Sequence, residues 1–347
     1  MSIKRVAVAG LGKIGMFHLS ILKNLPDTQI VAISDKMKGT KKMVKGMGFD
    51  APFFDDAGEL VRQVKPDALF ACVPPAFNRA IAEQCVSHNV ALFLEKPMAA
   101  SLEDARAILN LLPSSGGPSN AVGYMVAFYP TFVHAGKLIK ENALGKISRY
   151  SASLYLGEDF KKEAGWRQNP RISGGGALSV VGSHLIYLLY SFFGTPVKVQ
   201  SAVTHLFSEV EDEVQAMLEH PDKLTGEVSV SWSKPGYSEM GFHIIVDGEL
   251  GSVEVTENTV TVTALDGNSA FPAGRTQLYL WDLPAPKLPG TFVDTGQQGY
   301  AAQDFDFVSS VGGAGKPRVT WRDAFEVQRI IDGIYRSAAE PGNWVKL

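Results

Sequence analysis

Residues 4–15, KRVAVAGLGKIG, form a β-branched apolar run that stops at Gly10 and runs into three glycines spaced G-x-G-x-x-G. Gly10 permits a tight turn, and Gly12 lets backbone approach a pyrophosphate. Gly15 lets the next helix pack against the strand, and that helix's N-terminus offers free N–H groups to phosphates. Lys13 and Ile14 lie inside the same turn and join the cofactor-facing set. A helix is predicted from Met16 to Leu25, stopped by Pro26, and QIVAISD at 29–35 reads as a second strand. Asp35 falls twenty residues after Gly15, where an acid accepts both ribose hydroxyls of an adenosine. An Asp at a strand end is also a common turn former. A carboxylate at the ribose repels the 2′-phosphate of NADP, so NAD is the expected cofactor. NADP stays possible if Lys36 or Lys38 reaches round to that phosphate.

The alternation continues with a helix at 59–64, a strand at 67–73, a helix at 78–87 and a strand at 91–96. Near-continuous apolar strands alternating with helices indicate a parallel sheet covered on both faces. Ligands of such sheets sit at the carboxyl ends of the strands, which is where Cys72, Pro74, Pro75 and Asn78, and then Glu95, Lys96 and Pro97, fall. Farther on, strands are predicted at 147–155, 211–218, 224–232, 241–246 and 251–262, with hairpin signals at Asp247-Gly248 and Asp266-Gly267. A Pro- and Gly-rich segment at 271–290 reads as an excursion or arm, followed by a helix at 323–339 and a short last strand. The fold class is α/β: a dinucleotide-binding Rossmann domain over 1–122, then an α/β substrate and oligomerisation domain over 123–347.

At 347 residues the chain exceeds what one core usually organises. Its 33 Lys and Arg against 36 Asp and Glu are scattered, so no footprint for nucleic acid or anionic lipid is present. Cys72 and Cys85 are too few for a disulfide framework and lack metal-ligand spacing; no metal site is expected, and a reducing cytoplasm fits. The apolar stretch before the first glycines is too short for a signal peptide.

One stretch invites a different reading. GGGALSVVGSHLIYLLYSFFG, residues 174–194, has no formal charge and approaches the roughly 20 apolar residues of a membrane span. Its three opening glycines, Ser179, Gly182, Ser183, His184 and Ser191, and its isolation in mid-chain, favour a buried helix over a membrane segment. A lone histidine on such a helix is more often a core residue than a catalyst.

An ordered series of motifs settles on a family. AGLGKIGMFH (9–18), ACVPPAFN (71–78), EKPMA (95–99), GYMVAFYP (123–130), GWR (165–167), GGGALSVVGSH (174–184) and SWSKPGY (231–237) together resemble the Gfo/Idh/MocA oxidoreductases. The family is named for glucose-fructose oxidoreductase and inositol dehydrogenase. The resemblance implies a nicotinamide-binding Rossmann domain and a second domain on a large, mostly antiparallel open sheet, through which a homodimer or homotetramer forms. It implies hydride transfer to or from a secondary alcohol or ketone of a sugar, cyclitol or sugar nucleotide.

Lys96 matches the family's catalytic lysine. Surface snorkelling is the bland alternative for it. The family helix reads approximately G-G-G-x-L-x-D-x-G-x-H-x-x-D; here His184 is kept, but Val180 and Tyr187 stand at the two acidic positions. Spaced i, i+4 and i+7, these three are expected to line one pocket wall. The implied division of labour has Lys96 as main acid–base, His184 neutral and orienting the reacting oxygen, and Tyr187 adding a hydroxyl. Met125, Trp166, Arg167 and Tyr237 complete the implied substrate-facing set. For Trp166 and Arg167 a surface stack is the alternative, and for Tyr237 a place on the sheet. Asn78 and Ala127 depart from the family's usual His and basic residue, which points to an altered substrate pocket. Two other readings stay open: a cofactor-binding regulatory protein whose Val180 records lost chemistry, and a reductase of a non-sugar double bond or imine.

Overall fold

The structure, a computed structural model, describes residues 3–113, 117–157, 165–267, 271–285, 288, 298–313 and 315–347. It divides into two compact units, Met1–Met125 with Lys287–Phe325, and Val126–Pro286 with Glu326–Leu347.

In the first unit β1 (Lys4–Ala9), α1 (Lys13–Asn24), β2 (Thr28–Ser34), α2 (Thr40–Gly46), β3 (Phe53–Phe54) and α3 (Ala57–Val64) are followed by β4 (Ala68–Ala71), α4 (Asn78–Ser87), β5 (Ala91–Leu94), α5 (Leu102–Asn110) and β6 (Asn120–Val122). The six strands are parallel in the order β3-β2-β1-β4-β5-β6, the doubly wound dinucleotide-binding order, with its crevice between β1 and β4. Every residue of β4 (ALFA) and β5 (ALFL) is buried, as expected of strands covered on both faces. The expected strands at 67–73 and 91–96 end earlier, at Ala71 and Leu94, because their ladders stop there. Cys72, Glu95 and Lys96 are thereby freed into loops at the carboxyl edge. α1 begins at Lys13 rather than Met16, with Gly12 as its N-cap.

The second unit contains α6 (Pro130–Lys140), β7 (Ile147–Tyr155), α7 (Pro170–Ser173), α8 (Ser183–Phe193), β8 (Lys198–Thr204), β9 (Glu213–Glu219), β10 (Thr225–Ser231), β11 (Gly241–Gly248), β12 (Gly251–Val255), β13 (Thr259–Ala264) and β14 (Gly274–Tyr279). After them come α9 (Gln298–Ser310), α10 (Trp321–Ala339) and β15 (Val345–Lys346). The nine strands order as β14-β13-β12-β11-β7-β10-β9-β8-β15, antiparallel except for β7 with β10. Alternating burial along β9 to β12 marks a sheet with one packed face, onto which α6 and α8 dock.

Three local expectations are corrected. The strand read over 251–262 is two, β12 and β13, because Thr256 Oγ1 accepts the N–H of Asn258 and of Thr259 and turns the chain. Asp247-Gly248 ends β11 instead of forming the turn: Gly248 pairs with Gly251, leaving Glu249-Leu250 as the two-residue connection. Asp266-Gly267 opens a longer link, since Ala264 pairs with Gly274; residues 268–270 lie outside the described residues. The excursion at 271–290 contributes an edge strand, β14, while 286, 287, 289 and 290 lie outside the described residues.

Residues 287–325 group with the first unit, inside the block expected to be one second domain. Ala301, Phe307, Val308 and Val311 bury their stripe of α9 and its end in one core with Val6, Leu19, Phe70 and Phe93.

In the second unit, buried His220 meets the Tyr150 hydroxyl at 2.9 Å, and burial pushes its pKa down to about 4. The unfolded ring titrates near 6.5, so between these values the unfolded chain binds more protons and stability rises with pH. Urea unfolding at pH 4.5 and 7 should show a larger acid-induced loss for the wild type than for His220→Gln. Equal losses would mean that His220 titrates normally.

Candidate active site

The glycine turn has the shape its spacing calls for. Gly10 sits at φ +86°, and a Cβ there would stand 2.4 Å from the Cys72 carbonyl oxygen; one on Gly15 would stand 1.8 Å from the Gly10 oxygen. At Gly12 a Cβ would meet nothing within 4 Å, so the turn is open on the side where a pyrophosphate approaches. Gly12 supplies no side-chain cap, which leaves first-turn N–H groups of α1 available to an anion. Asp35, at the end of β2, accepts the Leu11 N–H on Oδ2 and the Met37 N–H on Oδ1. It braces the turn, and a carboxylate has further lone pairs with which to accept hydroxyl donors. Lys36 leans toward the Phe77 ring, 6.0 Å from its centroid. These residues fit an NAD molecule.

The loop after β5 carries the next group. Lys96 is half-buried, and its N–H donates to Glu95 Oε2 at 3.2 Å. Glu95, expected to face the cofactor, turns inward: it is 8% exposed, and its Oε1 lies 3.1 Å from His18 Nε2. Asn78 is corrected likewise. It is wholly buried, and its Nδ2 donates to the carbonyls of Pro97 and Met98, so it clamps the Lys96 loop from α4 rather than touching a ligand. Met125 is also buried, at 1% exposure. Pro74 and Pro75 lead through a short 3-10 turn into α4, with Cys72 half-buried beside Gly15.

In the second unit the glycine-rich run opens with a π-helical turn, Leu178–Gly182, before α8. Val180 lies inside that turn, while His184 and Tyr187, both within α8, stand in an i, i+3 relation. All three are buried. Glu211, absent from the sequence expectations, anchors the run. Its Oε2 accepts the Gly176 N–H at 2.8 Å, while Oε1 accepts the Leu178 N–H at 2.9 Å and the Tyr335 hydroxyl at 2.8 Å. A Cβ on Gly176 would lie 2.0 Å from the Glu211 carbonyl oxygen. Ser179 and Ser173 spend their hydroxyls on local carbonyls, which lets polar residues sit in an oily helix. The apolar window of Pro170–Phe193 is 83% buried, as a core helix would be. Trp166 and Arg167 are exposed, with the guanidinium 5.8 Å from the indole centroid. Tyr237 packs edge-on against Tyr155 at 5.4 Å, on the end of the sheet.

Residues 4–123 match the oxidoreductase family described as having an NAD-binding Rossmann fold, and residues 132–254 match the GFO/IDH/MocA C-terminal domain. The chain belongs to the Gfo/Idh/MocA oxidoreductase family. D-apiose dehydrogenase of Paraburkholderia graminis is 21% identical to this oxidoreductase over 98% of the chain and 89% of that enzyme. The NAD-linked scyllo-inositol 2-dehydrogenase of Bacillus subtilis is 26% identical over 42% of the chain and 43% of its own length. The match to an uncharacterised Schizosaccharomyces pombe oxidoreductase spans 61% of that protein. Among solved structures, a levoglucosan dehydrogenase complexed with NADH and levoglucosan shares the fold, with a TM-score of 0.86 at 18% identity over 99% of both chains.

A groove of about 1600 Å³ in this oxidoreductase opens where β1, β4, β5 and β6 begin, beside Lys4, Asp67, Ala91 and Asn120. Dinucleotides bind such sheets at the opposite, carboxyl end, so the groove is not the cofactor seat. Two of the organising residues left a mark in the sequence. His18 stands at a buried position three residues after Gly15, next to Leu19, and Asp304 interrupts the apolar stripe of Ala301, Phe307 and Val308 on α9. A polar residue inside a buried stripe is the signal.

Proposed function

We propose that this oxidoreductase is an NAD(H)-linked dehydrogenase interconverting a secondary alcohol and a ketone on a sugar, cyclitol or sugar nucleotide. The observation that carries this reading is Lys96, half-buried at the carboxyl edge of the sheet that also presents the open glycine turn and Asp35. The relatives' names, D-apiose and scyllo-inositol dehydrogenase, support the substrate class. Bound NAD+ supplies the hydride acceptor for the carbinol C–H. The neutral Lys96 amine takes the hydroxyl proton, leaving a ketone and an ammonium, and returns that proton in the reverse direction. His184 orients the reacting oxygen by a hydrogen bond and Tyr187 adds a second hydroxyl; Val180 has no proton to exchange. Arg167, through its planar fork, takes a phosphate or carboxylate of the substrate. The nine-stranded sheet joins copies into a dimer or tetramer, which light scattering would count.

The test is NAD+ reduction at the nicotinamide absorbance with myo- and scyllo-inositol, D-apiose, levoglucosan and a UDP-sugar. Turnover of one of these supports the reading. Tight NADH binding with no turnover in either direction would favour the regulatory alternative, to which Val180 points.

Fluorescence titration should give tighter binding of NADH than of NADPH, and Asp35→Ala should narrow the gap, because the carboxylate that repels a 2′-phosphate is gone. A gap that widens would mean Asp35 only braces the turn.

A further inference from the structure

We propose that His18 and Asp304 are positioning residues for Lys96, acting through Glu95. This rests on the reading of Lys96 as the proton-transfer group. The chain of contacts is continuous. Asp304, on α9, places its carboxylate 2.8 Å from His18 Nδ1, and His18 Nε2 lies 3.1 Å from Glu95 Oε1. Glu95 Oε2 then accepts the N–H of Lys96. His18 and Asp304 are wholly buried, and the imidazole is enclosed by Phe70, Phe93 and Tyr300 at 5.5, 5.2 and 6.0 Å. Gly123 leaves the space Glu95 occupies, since a Cβ there would stand 2.5 Å from Oε1.

Each ring nitrogen faces a carboxylate oxygen, and an ionised carboxylate only accepts. With Asp304 and Glu95 ionised, both nitrogens donate and the ring is an imidazolium held between two anions; burial raises the pKa of Asp304 only to about 6, so at pH 8 it is ionised. Burial works against that charge, but Asp304 first and Glu95 second outweigh it and raise the pKa of His18. Among the described residues the Cys72 thiol and the Tyr300 phenol also face the cluster, and burial with the same two carboxylates keeps the thiol neutral. An ionic cluster of this kind is a poor source of stability, because desolvating the ions offsets their attraction. What it does provide is direction: the imidazolium can satisfy both carboxylates only in one orientation, and that fixes the Glu95 oxygen to which the Lys96 backbone is tied.

Two measurements test this on the full-length protein. With ring-15N histidine, His18, assigned by its loss in His18→Gln, should show two protonated nitrogens at pH 8, where an ordinary histidine is neutral. A neutral ring there overturns the proposal, and the protonation state itself is read on the wild-type protein. In Asp304→Asn, trace acetic anhydride read by peptide mass spectrometry should acetylate Lys96 at least about twofold faster than in the wild type, the low end of what one loosened hydrogen bond is worth. Exposed Lys13 should label equally in both, and NADH should bind both alike. Unchanged Lys96 labelling in folded Asp304→Asn would make the cluster structural only. Neither readout uses turnover, so a catalytically dispensable Lys96 would be recognised separately, from Lys96→Ala.

Discussion

Replacing Lys96 by alanine lowers turnover by about a hundredfold to ten-thousandfold, the usual contribution of a positioned general acid–base, while NADH binding changes little. The expectation follows from place as much as from residue type. Lys96 leaves the chain two residues past β5, from a loop that Asn78 clamps at Pro97 and Met98 and Glu95 ties at its own N–H. Removing the amine leaves that scaffold intact, so near-UV circular dichroism and NADH titration should match the wild type. Partial recovery of turnover with added alkylamines would identify the lost group as the amine itself. Full activity in Lys96→Ala on a substrate the wild type oxidises would end the catalytic assignment.

Replacing Glu211 by alanine lowers the melting temperature of the second unit by about 6–12 °C, the consequence of losing roughly 3 kcal/mol in a unit of this size. The side chain accepts three donors, the N–H groups of Gly176 and Leu178 and the Tyr335 hydroxyl, all of which stay buried without it. Each abandoned donor costs about 1–3 kcal/mol. Burial already raises the pKa of Glu211 against those same hydrogen bonds, so removing the carboxylate also relieves a desolvation cost and keeps the net loss near the lower end. The loss should be local as well as global. Hydrogen exchange should speed up over 176–182, where the π turn leads into the helix bearing His184. A melting temperature within about 2 °C of the wild type would show that water replaces the carboxylate, as ordered water can at a polar site.

The local pattern was sufficient for the dinucleotide half. The order of strand, three glycines, helix, strand and acid depends on residues close in sequence, each with its own backbone requirement, and β1, β2, β4 and β5 appear where apolar periodicity placed them, while the two-residue β3 was not foreseen. The turn chemistry of the second sheet was less legible. Whether Asp247-Gly248 turns or ends a strand depends on the register β11 takes with its neighbours, which no short window contains.

Roles of single residues divided along the same line. The sequence by itself determined the family and the open glycine turn with its acid, and it singled out Lys96, because these rest on contiguous motifs. Only the tertiary structure turned Glu95 and Asn78 inward, put the π turn under Val180, and joined His18 to Asp304 across 286 residues of chain and Glu211 to Tyr335 across 124. The reason is physical: a buried polar group must find its partner wherever packing brings one, and packing is decided by the whole core rather than by neighbours in the chain.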